Sequence, residues 1–385
     1  MQKQIISTKP RYEILDGLRG VAAVMVVAFH IFEAHATSHF DQVINHGYLA
    51  VDFFFVLSGV VIGYAYDDRW SKGMSIGTFF KRRLIRLQPM VIFGSLIGAA
   101  CFFFQDSPMF YKIHNTPVWL MLIVMVIGMT LIPLAPGKMD IRGWGEMHPL
   151  NGPAWSLFLE YCANILYALF IRKFSKTALS ILVFIAGAVL IHFAVTSPHG
   201  DIIGGWSLNG EQLRIGFTRL IYPFFAGLLL YRICKTGKVK DAFLWCSLLI
   251  IIALSVPRIG GKEFLWANGI YDSLVIIFLF PFVVWLGASG EVTGKYASKI
   301  CKFLGDISYP IYITHYPLIY IYTGWVGTPK MPVSDVGGWA AFTKPPISET
   351  WHWAVIVFIS CILLAWASMK FYDLPVRKWL TKIWK

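Results

Sequence analysis

Apolar residues recur along this chain in long runs rather than in alternation. Eleven runs lie near 14–36, 48–66, 88–105, 117–134, 152–171, 178–196, 213–231, 241–256, 270–287, 303–324 and 352–371. Most have the length of about 17–25 residues that a helix needs to cross a hydrocarbon core. A helix satisfies its own backbone donors and acceptors, so it is the element such runs predict in lipid. The fold class is all-α: a polytopic membrane helical bundle, read as a single membrane-embedded domain over 1–385. No internal repeat or low-complexity tract interrupts it. The stretch from Val326 to Glu349 is rich in Gly and Pro, is too short for a polar domain and reads as an outer loop.

The polar residues between the runs set the topology. Lys3, Lys9 and Arg11 precede the first run, and Arg69, Lys72, Lys81, Arg82, Arg83 and Arg86 crowd the second gap. Further basic gaps hold Arg172, Lys173 and Lys176, then Arg232, Lys235, Lys238 and Lys240, then Lys295, Lys299 and Lys302. The end of the chain carries Arg377, Lys378, Lys382 and Lys385, whereas the gap from His35 to His46 has no Lys or Arg. The positive-inside rule puts the basic gaps and both termini in the cytoplasm. An even number of crossings must then separate Arg86 from Arg172, yet three runs lie there. The reading is about ten transmembrane helices plus one re-entrant or broken segment, with Gly152 to Glu160 as the candidate irregular piece.

Composition narrows the partners. Hydrophobic residues make up 57% of the chain and charged residues 14%. A net charge of +13 would suggest nucleic acid in a soluble protein. Here the basic residues sit between apolar runs, so they read as topology determinants and contacts to membrane lipids, with no nucleic-acid partner. Met1 to Arg11 is polar and basic and the first run has no small-residue cleavage site, so no cleaved signal is expected. Cys101, Cys162, Cys246 and Cys361 fall inside apolar runs, and Cys234 and Cys301 in basic loops. Their spacing suits neither a disulfide framework nor a metal, so they read as packing residues and no metal site is expected.

Ionisable residues inside apolar runs are the candidate chemistry, because lipid-facing charge is costly. Arg19 and His30 are eleven residues apart, close to three helical turns, so they share a face about 16 Å apart along the axis. A cation near the inner end and a base deeper in describe a site that extends through the bilayer. Further motifs follow in order: Phe54-Phe-Val-Leu-Ser58-Gly59, Arg83-x-x-Arg86-x-x-Pro89, Trp155-Ser-Leu-x-x-Glu160, and Ile307-Ser-Tyr309 with His315-x-Pro317.

From Tyr12 to Trp379 this ordered set resembles the acyltransferase 3 family of membrane acyltransferases. Each motif is short, and their shared order carries the resemblance. It implies transfer of an acyl group, acetyl above all, from cytoplasmic acyl-CoA to an acceptor handled at the outer face of the cytoplasmic (inner) membrane. Acceptors in the family are commonly sugar hydroxyls of surface polysaccharide, lipopolysaccharide, peptidoglycan or glycolipid. Acetyl-CoA would be a substrate, with no permanently bound cofactor. Some members carry a fused extracellular esterase-like domain. None is read in these residues, so a second acyl-transfer step would need a separate periplasmic or extracellular protein.

Each candidate residue has two readings. His30 is the base that deprotonates the acceptor or a transient acyl carrier, or else a packing histidine. Arg19 holds CoA phosphate with its fork, or snorkels to the interface. Arg82 and Arg86, spaced i and i+4, bind the CoA phosphates or anionic lipid, while Lys81 and Arg83 read as lipid anchors. Glu160 orients His30 or binds the acceptor, or it pairs with an arginine such as Arg214 or Arg219. Asp52 is similar, with more weight on structure. Asn151 and His148, with Trp155, line the acceptor mouth, and His315 is a second polar site residue or a packing residue. Trp206 and Trp325 stack on sugars or join an interfacial belt. Asp16 caps the first helix, and Ser58-Gly59 permits close helix packing. Two other classes stay open. A secondary transporter or flippase for a glycan or lipid would use the same intramembrane Arg, His and Glu, whereas a scaffold would not need them aligned.

Overall fold

The computed structural model describes residues 12–110, 112–329 and 342–384. Lys3, Lys9, Arg11, Lys385 and much of the 326–349 loop, which the sequence reading used for topology, lie outside these. Each of the eleven apolar runs contains a helix. In chain order the helices are α1 (Glu13–Glu33), α2 (Ala50–Trp70), α3 (Ile76–Phe103), α4 (Val118–Gly128), α5 (Ala154–Leu169), α6 (Lys176–Thr196) and α7 (Gly210–Ile233). Then come α8 (Ala242–Ser255), α9 (Trp266–Leu274), α10 (Phe280–Ala288), α11 (Lys295–Val326), α12 (Ile347–Ser368) and α13 (Leu374–Ile383). Two short strand pairs and the 3-10 turns Gly47–Leu49 and Ile171–Lys173 are described besides.

Among the described residues, seven helical stretches are long and apolar enough to cross a membrane by length and composition: α1, α2, α3, α6, α7 and the continuous α9–α10 and α12–α13. The 32-residue α11 is more polar and carries Pro310 and Pro317. The run that stops short is 117–134 rather than the piece beginning at Gly152. Its helix α4 has 11 residues, about 16 Å, half of a hydrocarbon core. It ends at Met129, whose carbonyl accepts from Gln88 in α3. The irregular backbone then runs from 129 to 153, and regular helix resumes at Ala154. Non-helical chain at such depth must be satisfied by protein. Arg142 supplies much of this: it is buried, donates to the Pro149 carbonyl at 3.0 Å and to Gln105 at 2.9 Å, and lies 3.6 Å over the Tyr320 ring.

Close helix contacts fix the bundle. A Cβ at Gly20 would overlap the Leu304 carbonyl, so α1 lies against the backbone of α11. Gly59 in α2 meets the Phe224 carbonyl of α7 in the same way, as the Ser58-Gly59 pattern suggested. Cys301 is buried inside α11 rather than in a loop, and its thiol faces the Glu13 carbonyl at 3.4 Å. Asp16 does not cap α1; the N-cap position is Tyr12, without a side-chain bond.

Asn151 has a specific structural task. Pro317 has no N–H to give the carbonyl of Ile313 four residues earlier. Asn151 Nδ2 donates to that carbonyl instead, at 3.0 Å. Replacing Asn151 with leucine is expected to destabilise the protein by about 1–3 kcal/mol, because the carbonyl is left unsatisfied. Adding Pro317→Ala restores the helical donor, so the double variant should lose less than Asn151→Leu alone. Thermal unfolding in detergent across this double-mutant cycle measures the difference.

Candidate active site

Two cavities lie on one path through the bundle. The larger, about 390 Å³, is lined by His30, Glu33, Tyr48, Glu146, Trp155, Arg219 and Tyr316 among others. The smaller, about 70 Å³, is lined by Arg19, Ser58, Arg83, Arg86, Glu160 and Tyr309 among others. The basic helix ends, including Arg69 of α2, Arg83 of α3 and Arg232 of α7, gather at the end of the bundle that holds the smaller cavity. We call this the basic end; the larger cavity faces the other.

His30 is in the last turn of α1, toward the end of the helix away from Arg19. Its Nδ1 is 2.7 Å from Oε2 of Glu33, one turn along the same helix. A carboxylate only accepts, so in the neutral ring the proton sits on Nδ1 and Nε2 carries the lone pair that can act as a base. Both side chains are partly open to the cavity, 16% and 33% exposed. Tyr316 meets the His30 ring edge-on at 4.7 Å, and His315 stacks against it at 5.6 Å.

His315 itself is fully buried and donates Nδ1–H to the Ile311 carbonyl at 2.9 Å. Its Nε2 has no partner among the described residues. The end of α1 is held by Lys344, whose ammonium reaches the Ala36 carbonyl and lies 3.5 Å from that of Glu33. Burial pulls the Lys344 ammonium down to about 8, against the nearby Glu33 charge. Across the cavity, the buried Glu146 carboxyl accepts a hydrogen bond from Tyr320.

The remaining candidates divide between the cavities. Trp155 lines the larger one, and Arg219 lies 5.4 Å over its ring. Asp52 lines neither of these two cavities; it is fully buried and pairs with Arg219 at 2.7 Å. Asn151 and His148 line a small separate void rather than the larger cavity. Trp206 lines the larger cavity, and Trp325 is exposed on the surface.

Arg19 lines the smaller cavity and is oriented by Asp16 at 2.8 Å. Arg86 lines it too, but Arg82 does not; the second arginine is Arg83, which the sequence reading gave to lipid. Arg83 pairs with Glu160 at 2.5 Å. Glu160 therefore neither orients His30 nor pairs with Arg214 or Arg219. Glu33 holds His30, and its signal was available in the i, i+3 spacing. Three guanidinium groups line the smaller cavity, with Arg19 paired to Asp16 and Arg83 to Glu160, and their forked donors are of the kind that suits an anion, while aromatic faces beside carboxylates in the larger one are of the kind that suits a polyol.

Long apolar helices around polar cavities make this a multi-pass membrane protein with an interior equipped for chemistry. Residues 12–370 match the acyltransferase domain that defines the acyltransferase 3 family, and the chain belongs to that family. It is 26% identical over 333 residues to acyltransferase MdmB of Streptomyces mycarofaciens, covering 80% of this chain and 79% of that protein. It is 22% identical over 382 residues to O-acetyltransferase OatA of Staphylococcus aureus, covering 96% of this chain but only 58% of that protein. It is 33% identical over 175 aligned residues to protein 2 in the picA locus of Rhizobium radiobacter, covering 42% of this chain and 83% of that protein. No solved structure matches.

Proposed function

We propose that this protein transfers an acyl group, acetyl in particular, from cytoplasmic acyl-CoA to a hydroxyl of a cell-surface glycan or glycolipid. The basic end faces the cytoplasm with both termini, as the positive-inside rule requires, in a cytoplasmic (inner) membrane. The observation that carries the reading is the pairing of an arginine-lined cavity at that end with a His–Glu pair in a second cavity on the same path. Arg19, Arg83 and Arg86 hold the CoA phosphates, whose charge competes with Glu160 for Arg83. The acceptor sugar lies against Trp155 and Trp206, with its hydroxyl at His30 Nε2.

His30 takes the hydroxyl proton as the oxygen attacks the thioester carbonyl. The C–O ester bond forms and the C–S bond breaks. CoA leaves as thiolate and takes a proton from water at the basic end, while His30 returns its own to water in the larger cavity. Glu33 holds the ring and stabilises the imidazolium that forms. A covalent acyl-histidine remains a variant of the same scheme.

Mass spectrometry of surface glycans and glycolipids from cells with and without the gene tests the reading. Ester-linked acyl groups present only with the gene are expected; identical ester content would refute it. The Arg19→Lys variant keeps the charge but loses the fork, so KM for acyl-CoA should rise roughly tenfold with the protein still inserted. An unchanged KM would return Arg19 to a topology role.

A further inference from the structure

Attack on a thioester carbonyl drives negative charge onto the carbonyl oxygen, and a base alone leaves that charge unmet. The step is fastest where a hydrogen-bond donor already points at the place the oxyanion will occupy, about 2.7–3.1 Å away. The donors that line the larger cavity can be sorted by what already holds them. Arg219 is committed to Asp52 and to the carbonyls of Tyr48 and Gly204. Tyr48 gives its hydroxyl to Asp272 at 2.9 Å, and the Tyr312 hydroxyl is bound to Ser156 at 2.6 Å. The Trp155 and Trp206 indoles line the cavity too, but neither ring touches that of His30 among the described residues.

Tyr316 differs from all of these. It lines the same cavity and is only partly buried, and its hydroxyl makes no hydrogen bond among the described residues. Nor is that oxygen sealed from the cavity, as the unpartnered Nε2 of its neighbour His315 is. The Tyr316 ring is in edge contact with His30, with the ring centroids 4.7 Å apart. A tyrosine hydroxyl lies one ring radius and one C–O bond from its centroid, so this donor and the His30 base are close enough together to serve one carbonyl group. The ring also has little freedom. Tyr320 meets it edge-on at 4.5 Å, and Gly152 lies so near that a Cβ there would come within 2.8 Å of it. A donor held in this way costs no reorganisation when charge develops.

We propose that the Tyr316 hydroxyl donates to the thioester carbonyl oxygen as it becomes an oxyanion. This rests on the acyl-CoA reading above. The proton stays on Tyr316. The acceptor C–O bond forms, the oxyanion collapses back to a carbonyl, and the C–S bond breaks to release the CoA thiolate.

The test uses Tyr316→Phe in membranes that hold the acceptor. The variant keeps the ring against His30 and removes one oxygen. Loss of one oxyanion donor lowers kcat by about 10²–10³-fold, so acetyl transfer should slow by that factor while KM for acetyl-CoA is little changed. A packing role alone would leave kcat where it was, because the ring survives. A second readout replaces the thioester with the dithioester acetyl-dithio-CoA, whose C=S group accepts hydrogen bonds poorly. The unsubstituted protein should favour acetyl-CoA over this analogue, and Tyr316→Phe should lose about tenfold of that preference. Each preference is measured within one preparation, so the amount of folded protein cancels.

An unchanged kcat overturns the proposal. A lower kcat with the preference intact also overturns it, since the hydroxyl would then serve the acceptor rather than the carbonyl oxygen. Failure of Tyr316→Phe to insert overturns it as well, because a hydroxyl without a protein partner should have no share in folding. No transfer from acetyl-CoA by the unsubstituted protein would instead defeat the acyl-CoA reading, and this proposal with it.

Discussion

Replacing His30 with alanine is expected to lower acyl transfer by about 10²–10⁴-fold, the usual effect of losing a general base. The bundle should remain inserted, because His30 is partly open to a cavity and, among the described residues, its side chain hydrogen-bonds to Glu33, a neighbour on its own helix. His30→Gln keeps a hydrogen-bonding group without a base and should be nearly as defective. Glu33→Gln can still accept from Nδ1 but carries no charge to stabilise an imidazolium, so its activity should fall between His30→Gln and the unsubstituted protein. Steady-state rates on matched membrane preparations distinguish these cases. If His30→Gln keeps most of the activity, His30 is a packing residue and the base lies elsewhere. His315 would then be the nearest alternative, since its Nε2 is buried without a partner and its ring stacks on His30.

The second large effect concerns stability. Asp52 and Arg219 form a fully buried ion pair at 2.7 Å, and Arg219 also donates to the carbonyls of Tyr48 at 2.7 Å and Gly204 at 3.0 Å. Taking away one charge strands the other in a low-dielectric interior. Asp52→Leu should therefore cost about 3–5 kcal/mol, seen as a large fall in thermal unfolding temperature in detergent. The double variant Asp52→Leu with Arg219→Met removes both charges and should recover much of that loss. If the double variant is as unstable as the sum of the two single ones, the pair is not the source of the effect.

Parts of this site were legible in the chain and parts were not. The common face of Arg19 and His30 followed from helical spacing alone, and Glu33 lay within reach of the same rule. The choice between Arg82 and Arg83 could not be made that way. Adjacent residues on α3 point about 100° apart, and which of them enters the cavity depends on Glu160, a partner 77 residues distant. Asn151 was read as a mouth residue because its task depends on Pro317, a feature of another helix.

The shortened α4 was narrowed to three runs by the parity of the basic gaps, yet all three are apolar, and packing rather than hydropathy decides which one stops. Tyr316 carried no signal of its own. A tyrosine in an apolar run looks the same whether it faces a cavity or a neighbouring helix.

Most directly, the account can be tested in proteoliposomes. The purified protein is reconstituted with label in the acetyl group of acetyl-CoA on one side and acceptor glycan or glycolipid on the other. The account expects alkali-labile ester label on the acceptor with the unsubstituted protein and almost none with His30→Gln. Acceptor or lipid crossing the membrane without gaining label would contradict it and identify a transporter in its place.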